Sequence, residues 1–197
     1  MGDWQGVSAV FKVRRPMPYR LRVLDAEIRT RRTAREAAML HASKGAGVPT
    51  PALYHLDLAS STIVMEYIEG ERLKDAVGAM GPGAVEGEFR AMGMAVGRLH
   101  AAGIMHGDVT TANVVRRRGR LVFLDFGLSI RSDRLEDHAV DLRLVKETIG
   151  GAHTAVAGSA LKGLFEGYEE VVGGPRSRAV QSQLRSIERR GRYARVE

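Results

Sequence analysis

Hydrophobic residues in the first third of the chain form short apolar runs that flank one longer segment with helical spacing. The runs at residues 8–13, 53–57 and 61–68 predict three β-strands. Between the first two runs, residues 26–43 are predicted to form a helix, and Gly45 provides a typical stop signal. The N-terminal part of the chain is therefore expected to be a small sheet with one helix.

From about residue 86 onward the hydrophobic pattern is mainly helical. Phe89, Met92, Val96 and Leu99 recur at steps of three and four, which predicts a helix. Later segments predict a β-hairpin and then three more helices. The predicted boundaries are 86–102 for the first helix, 113–117 and 120–124 for the hairpin, and 136–149 for the next helix, with the last two helices separated near 173–175.

The order of these elements predicts an α+β chain with two unequal lobes that share a cleft. Residues 1–68 would form a small N-terminal lobe of strands and one helix. Residues 69–197 would form a mostly helical C-terminal lobe with a basic tail, and residues 66–70 would form the hinge.

The composition adds a strong basic charge to this picture. The 197 residues carry a formal net charge of +7, and most of the positive charge is arginine, because lysine occurs only at positions 12, 44, 74, 146 and 162. The chain has no cysteine, which excludes disulfides and thiolate metal sites and is consistent with a cytoplasmic protein. No apolar run is long enough to span a membrane, so no membrane partner is expected.

The segment from His106 to Gly127 contains the strongest functional pattern. Asp108 and Asn113 lie five residues apart in a loop after a predicted helix, and Asp125 ends the predicted hairpin. Phosphoryl transfer requires a carboxylate near the attacking hydroxyl group and magnesium ligands near the phosphates. Asp108 would orient the hydroxyl group, while Asn113 and Asp125 would bind Mg²⁺ through oxygen atoms. The pattern therefore predicts a kinase-type centre that uses ATP and Mg²⁺; the alternative is that these residues only cap turns and close a strand.

A lysine on a strand, paired with a glutamate on a helix, is also needed to hold the nucleotide phosphates. Lys12 is the only lysine before position 44 and lies on the first predicted strand, and Glu36 lies on the helix that follows. Lys12 and Glu36 are therefore the predicted pair by elimination. Glu27 is the competing acid, but it lies at the helix start, where the helix dipole favours an acid in any case.

The predicted strand over residues 61–68 would hold the adenine base. The hinge would offer one backbone carbonyl and one amide to the base edge, and Met65 would close the back of the pocket. An ordinary buried strand is equally compatible with these residues alone. The predicted nucleotide contacts are Lys12, Met65, Glu66, Ile68, Asn113 and Asp125.

Four longer segments carry a resemblance to a known family. Residues 31–37, 106–113, 125–129 and 136–142 read RRTAREA, HGDVTTAN, DFGLS and EDHAVDL. Together they resemble the small atypical kinase of the KEOPS/EKC complex, and the similarity extends from about Lys12 to the C-terminus. The paired threonines of the second segment and the EDHAVDL helix are more specific than the general kinase motifs.

The resemblance implies a minimal, bilobal protein-kinase-like fold with ATPase activity and weak Ser/Thr kinase activity. It also implies a cytoplasmic complex that makes threonylcarbamoyladenosine in tRNA, with the threonylcarbamoyl-transferase subunit as the direct partner. A small regulatory subunit would bind the N-terminal lobe.

Three features bear on this family pattern. Only eight residues separate Gly127 from the helix predicted at Glu136, so a typical activation segment does not fit. Only eleven residues precede Lys12, where the family is expected to carry a glycine-containing loop and two strands. The N-terminal lobe is therefore expected to be truncated, with little backbone cover over the phosphates.

Asp141 would either brace the catalytic loop through backbone amides or lie on its helix as a surface acid.

Arginine is concentrated in three regions, which indicates a polyanionic partner. The tail arginines are predicted to contact the tRNA backbone rather than its bases, because Tyr193 is the only aromatic residue near them. The alternative is a coding bias that places arginine on ordinary surfaces. The regions are Arg14, Arg15, Arg20, Arg22, Arg29, Arg31, Arg32 and Arg35, then Arg116, Arg117, Arg118 and Arg120, and in the tail Arg176, Arg178, Arg185, Arg189, Arg190, Arg192 and Arg195.

Two other functions fit part of the pattern. A small-molecule kinase of the aminoglycoside or choline phosphotransferase type shares the His-Gly-Asp loop and the asparagine five residues after the aspartate. The short chain and the 136–142 segment argue against it. A tRNA-binding scaffold with reduced catalysis is the second alternative, and the intact Asp108, Asn113 and Asp125 argue against a complete loss of activity.

Overall fold

The computed structural model describes residues 1–193, with side chains described up to residue 190. Its N-terminal part is a four-stranded antiparallel sheet with the strand order β1-β2-β4-β3, and one long helix. The α+β order expected from the sequence is present. The elements are β1 (Gly2–Trp4), β2 (Val7–Val13), α1 (Arg22–Gly45), β3 (Leu53–Asp57) and β4 (Thr62–Glu66).

Strand β1 is an addition to the predicted elements. Its three residues contain no apolar run, and they form a strand because they pair with β2. The two strands are joined by a tight turn in which Gln5 and Gly6 have φ angles of +54° and +84°. Within the described residues, β1 and a turn that contains Gly6 precede the strand of Lys12.

The C-terminal part consists of helices with short strands between them. The predicted helices and hairpin are all present, with boundaries shifted by a few residues. The elements are β5 (Glu71–Arg72), α2 (Leu73–Ala76), α3 (Pro82–Ala101), β6 (Ile104–Met105), β7 (Val114–Arg117), β8 (Arg120–Phe123), β9 (Ile130–Arg131), α4 (Leu135–Ala152), α5 (Ala157–Val172) and α6 (Gly174–Tyr193).

Helices α3 and α5 approach each other until their backbones touch. A Cβ atom built on Gly167 would lie 2.0 Å from the carbonyl oxygen of Arg90, and one built on Gly93 would lie 2.1 Å from that of Leu164. Any residue larger than glycine would force the two helices apart. Phe89 and Tyr168, both fully buried, fill the core beside this contact.

The predicted boundary between the lobes, at residues 68 and 69, falls between β4 and β5 and stays a prediction. No helix within residues 1–193 is both long enough and apolar enough to cross a membrane.

Candidate active site

Lys12 lies near the end of β2, a central strand of the N-terminal sheet, opposite Ile63 on β4. Its Nζ contacts Glu36 Oε1 at 2.7 Å and Asp125 Oδ1 at 2.6 Å. Glu36 is only 1% exposed, whereas the competing acid Glu27 is exposed on the same helix. The structure therefore brings together Lys12 and Glu36, the pair reached by elimination, and joins them to the predicted metal ligand.

Asp125 follows β8 in a left-handed conformation with φ of +55°. Aspartate tolerates this region better than most residues do. Its Oδ1 accepts a hydrogen bond from the amide of Gly127 at 3.1 Å in addition to the contact with Lys12. Burial would raise the pKa of Asp125, but the hydrogen bond and positive charge of Lys12 outweigh it and lower the pKa. Asp125 is therefore held as a carboxylate.

Asp108 and Asn113 form a hydrogen-bonded pair in the loop before β7. Asn113 Nδ2 donates to the backbone oxygen of Asp108 at 3.0 Å and to its Oδ2 at 2.8 Å. Because the amide nitrogen is used in this way, the amide oxygen of Asn113 remains the group that can bind a cation. Asn113 and Asp125 thus offer the hard oxygen donors that suit Mg²⁺, with phosphate and water oxygens as its other ligands.

Residues 106–113, the predicted catalytic loop, are held by Asp141 on α4. Its Oδ2 accepts from the amide of His106 at 2.6 Å, and its Oδ1 accepts from the amide of Gly107 at 2.8 Å. Gly107 has a φ of +82°, and a Cβ there would lie 2.7 Å from the carbonyl oxygen of Leu128. Asp141 is fully buried. Of its two predicted roles, the structure shows the bracing one.

Asp141 is in turn held by two residues that the sequence pattern does not single out. His100 Nε2 lies 3.2 Å from Asp141 Oδ2, and His100 Nδ1 lies 2.9 Å from the hydroxyl oxygen of Tyr168. Burial raises the pKa of the Tyr168 hydroxyl, so it remains a hydrogen-bond donor. With a hydrogen on Nε2, His100 donates to Asp141 and can accept from the Tyr168 hydroxyl group at Nδ1. Helical spacing marks these residues only as core positions, so no sequence signal distinguishes them.

A second histidine, His138, stacks on His100 with a ring-centroid distance of 4.0 Å. Its Nε2 donates to the carbonyl oxygen of Ser132 at 2.9 Å. Burial, followed by the neighbouring His100, lowers the pKa of His138 to about 4. Burial also lowers the pKa of His106 in the catalytic loop. The side chains of His138 and His106 are therefore neutral at pH 7.

A pocket of about 360 Å³ opens beside Lys12 and is lined mainly by apolar side chains. Met65 and Ile68, both predicted base contacts, are 8% exposed and lie on its wall. None of residues 1–9 lines it, so the glycines near the N-terminus do not cover this space. The lining includes Val10, Lys12, Glu36, Met65, Ile68, Asn113, Val115, Leu124 and Asp125.

Residues of the predicted hinge, including Tyr67, Ile68 and Gly70, line this pocket. The amides of Glu66 and Tyr67 donate to Ala52 and Ser8, whereas the amide of Ile68 forms no hydrogen bond within the described chain. The Glu66 side chain is also engaged, because its carboxylate binds Arg117 and accepts from the amide of Ala52 at 3.1 Å. The Ile68 amide is thus compatible with the predicted contact between the hinge backbone and the base, which stays a prediction, whereas the amide and the carboxylate of Glu66 already have partners.

A groove of about 410 Å³ lies next to this pocket, and the two cavities share Lys12 and Asp125 as lining residues. Asp108 lines this groove but not the pocket. A nucleotide in the pocket and an acceptor in the groove would thus meet where Lys12 and Asp125 are located. The other basic residues of the groove are Arg14, Arg15, Arg20, Arg29 and Arg32.

A model of the RIO domain family matches residues 18–143. The KEOPS complex subunit Bud32 of Pyrococcus abyssi is 37% identical over 95% of this chain and 85% of its own length. A probable bifunctional tRNA threonylcarbamoyladenosine biosynthesis protein of Methanothermobacter thermautotrophicus is 40% identical over 98% of this chain. The chain spans 34% of that longer protein.

A solved structure shows the same fold at lower sequence identity. The Rio2 kinase–ADP/Mg²⁺–phosphoaspartate complex from Chaetomium thermophilum has a TM-score of 0.54 and 17% identity, over 98% of this chain and 67% of the Rio2 chain. This likeness confirms the predicted kinase-like fold. Because the family model covers more than half of the chain and the Pyrococcus subunit matches nearly all of it, the chain belongs to the RIO-domain family and is a homologue of the KEOPS subunit Bud32.

Proposed function

We propose that this chain is an ATP-dependent phosphotransferase with ATPase activity that supports threonylcarbamoyladenosine formation in tRNA as part of a KEOPS-type complex. The observation that carries the proposal is the contact of Lys12 with both Glu36 and Asp125, beside the Asp108–Asn113 pair. These five residues form the parts that phosphoryl transfer requires.

Each part has a distinct task in the proposed reaction. Lys12 neutralises the nucleotide phosphates and Glu36 fixes its position. Asn113 and Asp125 would hold Mg²⁺, which when bound stabilises the charge on the phosphate oxygens. Asp108 orients the attacking oxygen, either of water in hydrolysis or of a Ser/Thr hydroxyl group in limited protein phosphorylation. The apolar pocket holds the base and excludes water from that side.

The names of the relatives supply the biological setting of the proposal. One is a KEOPS subunit and another a tRNA threonylcarbamoyladenosine biosynthesis protein. We therefore assign the threonylcarbamoyl-transferase subunit as direct partner, a small regulatory subunit at the N-terminal lobe, and a cytoplasmic location. Neither a small-molecule phosphotransferase nor a scaffold without catalysis accounts for both the relatives and the assembled site.

The arginines of α6 differ in their availability for tRNA. Arg176 donates to His138 Nδ1 at 3.3 Å and is half-buried, so it belongs to the interior. Arg178, Arg185 and Arg189 are exposed, which supports a backbone contact with tRNA. Arg190 is also exposed but contacts Glu136 at 3.3 Å. The side chain of Arg192 and all of Arg195 lie outside the described part of the chain.

The arginines of the hairpin are similarly divided. Arg116 contacts Glu88 at 2.9 Å and Arg117 binds Glu66, so both have carboxylate partners. Arg118 and Arg120 are exposed at the hairpin turn. Structural ion pairs therefore account for part of the arginine excess, and the tail remains the better candidate for a tRNA contact.

ATP hydrolysis by the protein in complex with its transferase partner tests the proposed function. The assay compares wild type, Asp125→Ala and the matched control Asp75→Ala, an exposed acid on α2, with and without tRNA. We expect Asp125→Ala to lose at least about a hundredfold in rate because it removes a metal ligand and the partner of Lys12. Equal rates for wild type and Asp125→Ala would refute the proposal.

Salt-dependent tRNA binding tests the role of the tail. We expect Arg185→Gln combined with Arg189→Gln to weaken binding and to reduce the slope of log K against log salt by about 0.7–0.9 for each phosphate that is no longer neutralised. Arg31→Gln combined with Arg35→Gln, which removes two exposed charges from α1, is the control. The assignment would be wrong if both double variants changed the slope equally.

A further inference from the structure

Arg14 lies two residues after Lys12, directly beyond the end of β2. Residues two apart on a strand face the same side, and both side chains reach α1. Arg14 Nη2 forms an ion pair with Glu36 Oε2, while Lys12 Nζ contacts Oε1 at 2.7 Å. Each carboxylate oxygen of the buried Glu36 is therefore bound by its own cation.

Arg14 is itself held in place by several contacts. Its Nη1 donates to Thr33 Oγ1 at 3.3 Å, about one helical turn before Glu36. Its backbone amide donates to the carbonyl oxygen of Ser61 at 3.1 Å. Its side chain is only 15% exposed. These contacts fix the guanidinium group and fasten α1 to the end of β2.

The guanidinium group of Arg14 also lies close to the phosphate end of the site. A Cβ built on Gly127 would lie 3.0 Å from Asp125 Oδ1, 3.4 Å from Lys12 Nζ and 3.5 Å from Arg14 Nη2. Two cations and two carboxylates thus form one cluster with no net charge. Without Arg14, Lys12 would be the only cation between two carboxylates, and its attraction for a phosphate would be weaker.

In protein kinases the lysine–glutamate pair depends on the position of its helix, which phosphorylation of the activation loop controls. Here residues 128–134 make no hydrogen bond to α1 in the described structure. Ser129 donates to the backbone of His106, and Arg131 donates to that of Ala102. The hydrogen bonds that hold the Glu36 carboxylate beside Lys12 come from Lys12 and Arg14, both in the N-terminal part itself.

We infer that Arg14 is a positioning residue, which holds Glu36 so that Lys12 stays directed at Asp125 and the nucleotide phosphates. The inference rests on the proposed function. It makes the lysine–glutamate pair a permanent part of the fold that needs no phosphorylation to form.

A double-mutant cycle tests the inference through the dissociation constant of a fluorescent ATP analogue with Mg²⁺. We expect Arg14→Met to raise Kd about tenfold and Arg14→Lys to recover most of that loss. In a Lys12→Met background, Arg14→Met should change Kd less than about twofold, because Arg14 acts through Lys12. The control is Arg35→Met, an exposed cation next to Glu36 that should leave Kd unchanged.

The outcomes separate the inference from the proposed function. Wild type that binds no analogue would refute both. Wild-type binding with an unchanged Kd for Arg14→Met, or an equal effect of Arg14→Met with and without Lys12, would refute the inference alone. Thermal unfolding of each variant shows whether it is folded. If Arg14→Met does not fold, the same cycle with Arg14→Lys, which should show a smaller rise in Kd that disappears without Lys12, decides the question.

Discussion

The two sides of the candidate active site are held by different kinds of interaction. On the C-terminal side, buried Asp141 receives hydrogen bonds from backbone amides and from His100, and the surrounding histidines are buried. On the N-terminal side, Lys12 and Arg14 are placed by ion pairs to Glu36 near the open cleft. One side is held by a buried hydrogen-bond network and the other by ion pairs beside the groove.

This difference indicates that the two sides of the site govern different properties of the protein. Buried hydrogen bonds to the backbone define one geometry, and their loss leaves unpaired polar groups in the interior. Ion pairs at the cleft can exchange partners, so under the proposed function Lys12 would turn from Asp125 to a phosphate oxygen while it keeps its contact with Glu36. The C-terminal side is therefore expected to govern stability and catalytic rate, and the N-terminal side to govern nucleotide affinity.

The largest expected effect comes from Asp141→Asn. Asparagine has only one oxygen acceptor for three donors, and its amide group would face an N–H group. We expect a loss of about 3–5 kcal/mol in the free energy of unfolding, as for breaking a buried charged network. Denaturant unfolding measures it, with Glu147→Gln on the same helix as an exposed control. A loss below about 1 kcal/mol would show that the network is not a main support.

The two sides of the site should lose their contributions to the free energy of unfolding at different pH values. The pKa of His138 is about 4 in the folded protein and near 6.5 when exposed, so its contribution is full above pH 6.5 and is lost as the pH falls to 4. The expected loss is about 3 kcal/mol. The hydrogen bond from Arg29 lowers the pKa of Asp25 below 3.8, so the stability that ionised Asp25 contributes on the N-terminal side is lost only as the pH falls below 3.8.

His138→Gln provides the control for the pH prediction. Glutamine keeps a donor for the carbonyl oxygen of Ser132 but does not titrate. Unfolding free energies measured between pH 7 and pH 4 should therefore fall less in this variant than in wild type. Parallel curves for the two proteins would assign the acid sensitivity to other groups.

A smaller effect on stability is expected for Glu36→Gln. It leaves Lys12 and Arg14 without their shared carboxylate, but Lys12 is about a third exposed and water can replace part of the interaction. We expect about 1–2 kcal/mol in stability and about a tenfold weaker ATP affinity. Glu27→Gln, an exposed acid on the same helix, should change neither. If Glu36→Gln lowered the free energy of unfolding as much as Asp141→Asn, the two sides of the site would not differ in their contribution to stability.

The smallest expected effect is that of salt on the free protein. Raising NaCl from about 0.05 to 1 M should reduce the unfolding free energy by no more than about 1 kcal/mol, because only pairs near the surface are screened. The reduction should be smaller still in Glu36→Gln. Salt-dependent thermal unfolding measures it, and an equal reduction in both proteins would place the screened charges elsewhere.

The sequence predicted the elements of the site better than the contacts that hold them. Asp108, Asn113 and Asp125 were recognisable because a short loop and a hairpin fix their spacing, and Lys12 because few lysines compete with it. Their metal and nucleotide roles stay predictions. Strand β1 was missed because pairing with β2, rather than its own composition, makes it a strand.

The supporting residues could not be found in this way. His100 and Tyr168 are 68 positions apart and meet only through the packing of α3 against α5. Arg14 was one of eight arginines in its region, and although strand alternation places it on the same side as Lys12, the sequence does not show that it contacts Glu36. Long-range partners of this kind depend on tertiary contacts, which hydrophobic periodicity does not encode.

The glycine contact between α3 and α5 has a consequence for motion in the folded protein. Because the two backbones touch at Gly93 and Gly167, water cannot enter between them unless the helices separate. Amide hydrogens along this contact should therefore exchange with deuterium only through global unfolding, while those of the β1–β2 hairpin exchange by local opening. The amides at the contact between α3 and α5 would then exchange most slowly in the molecule, and their exchange rate would be the reference with which the rates of all other segments are compared.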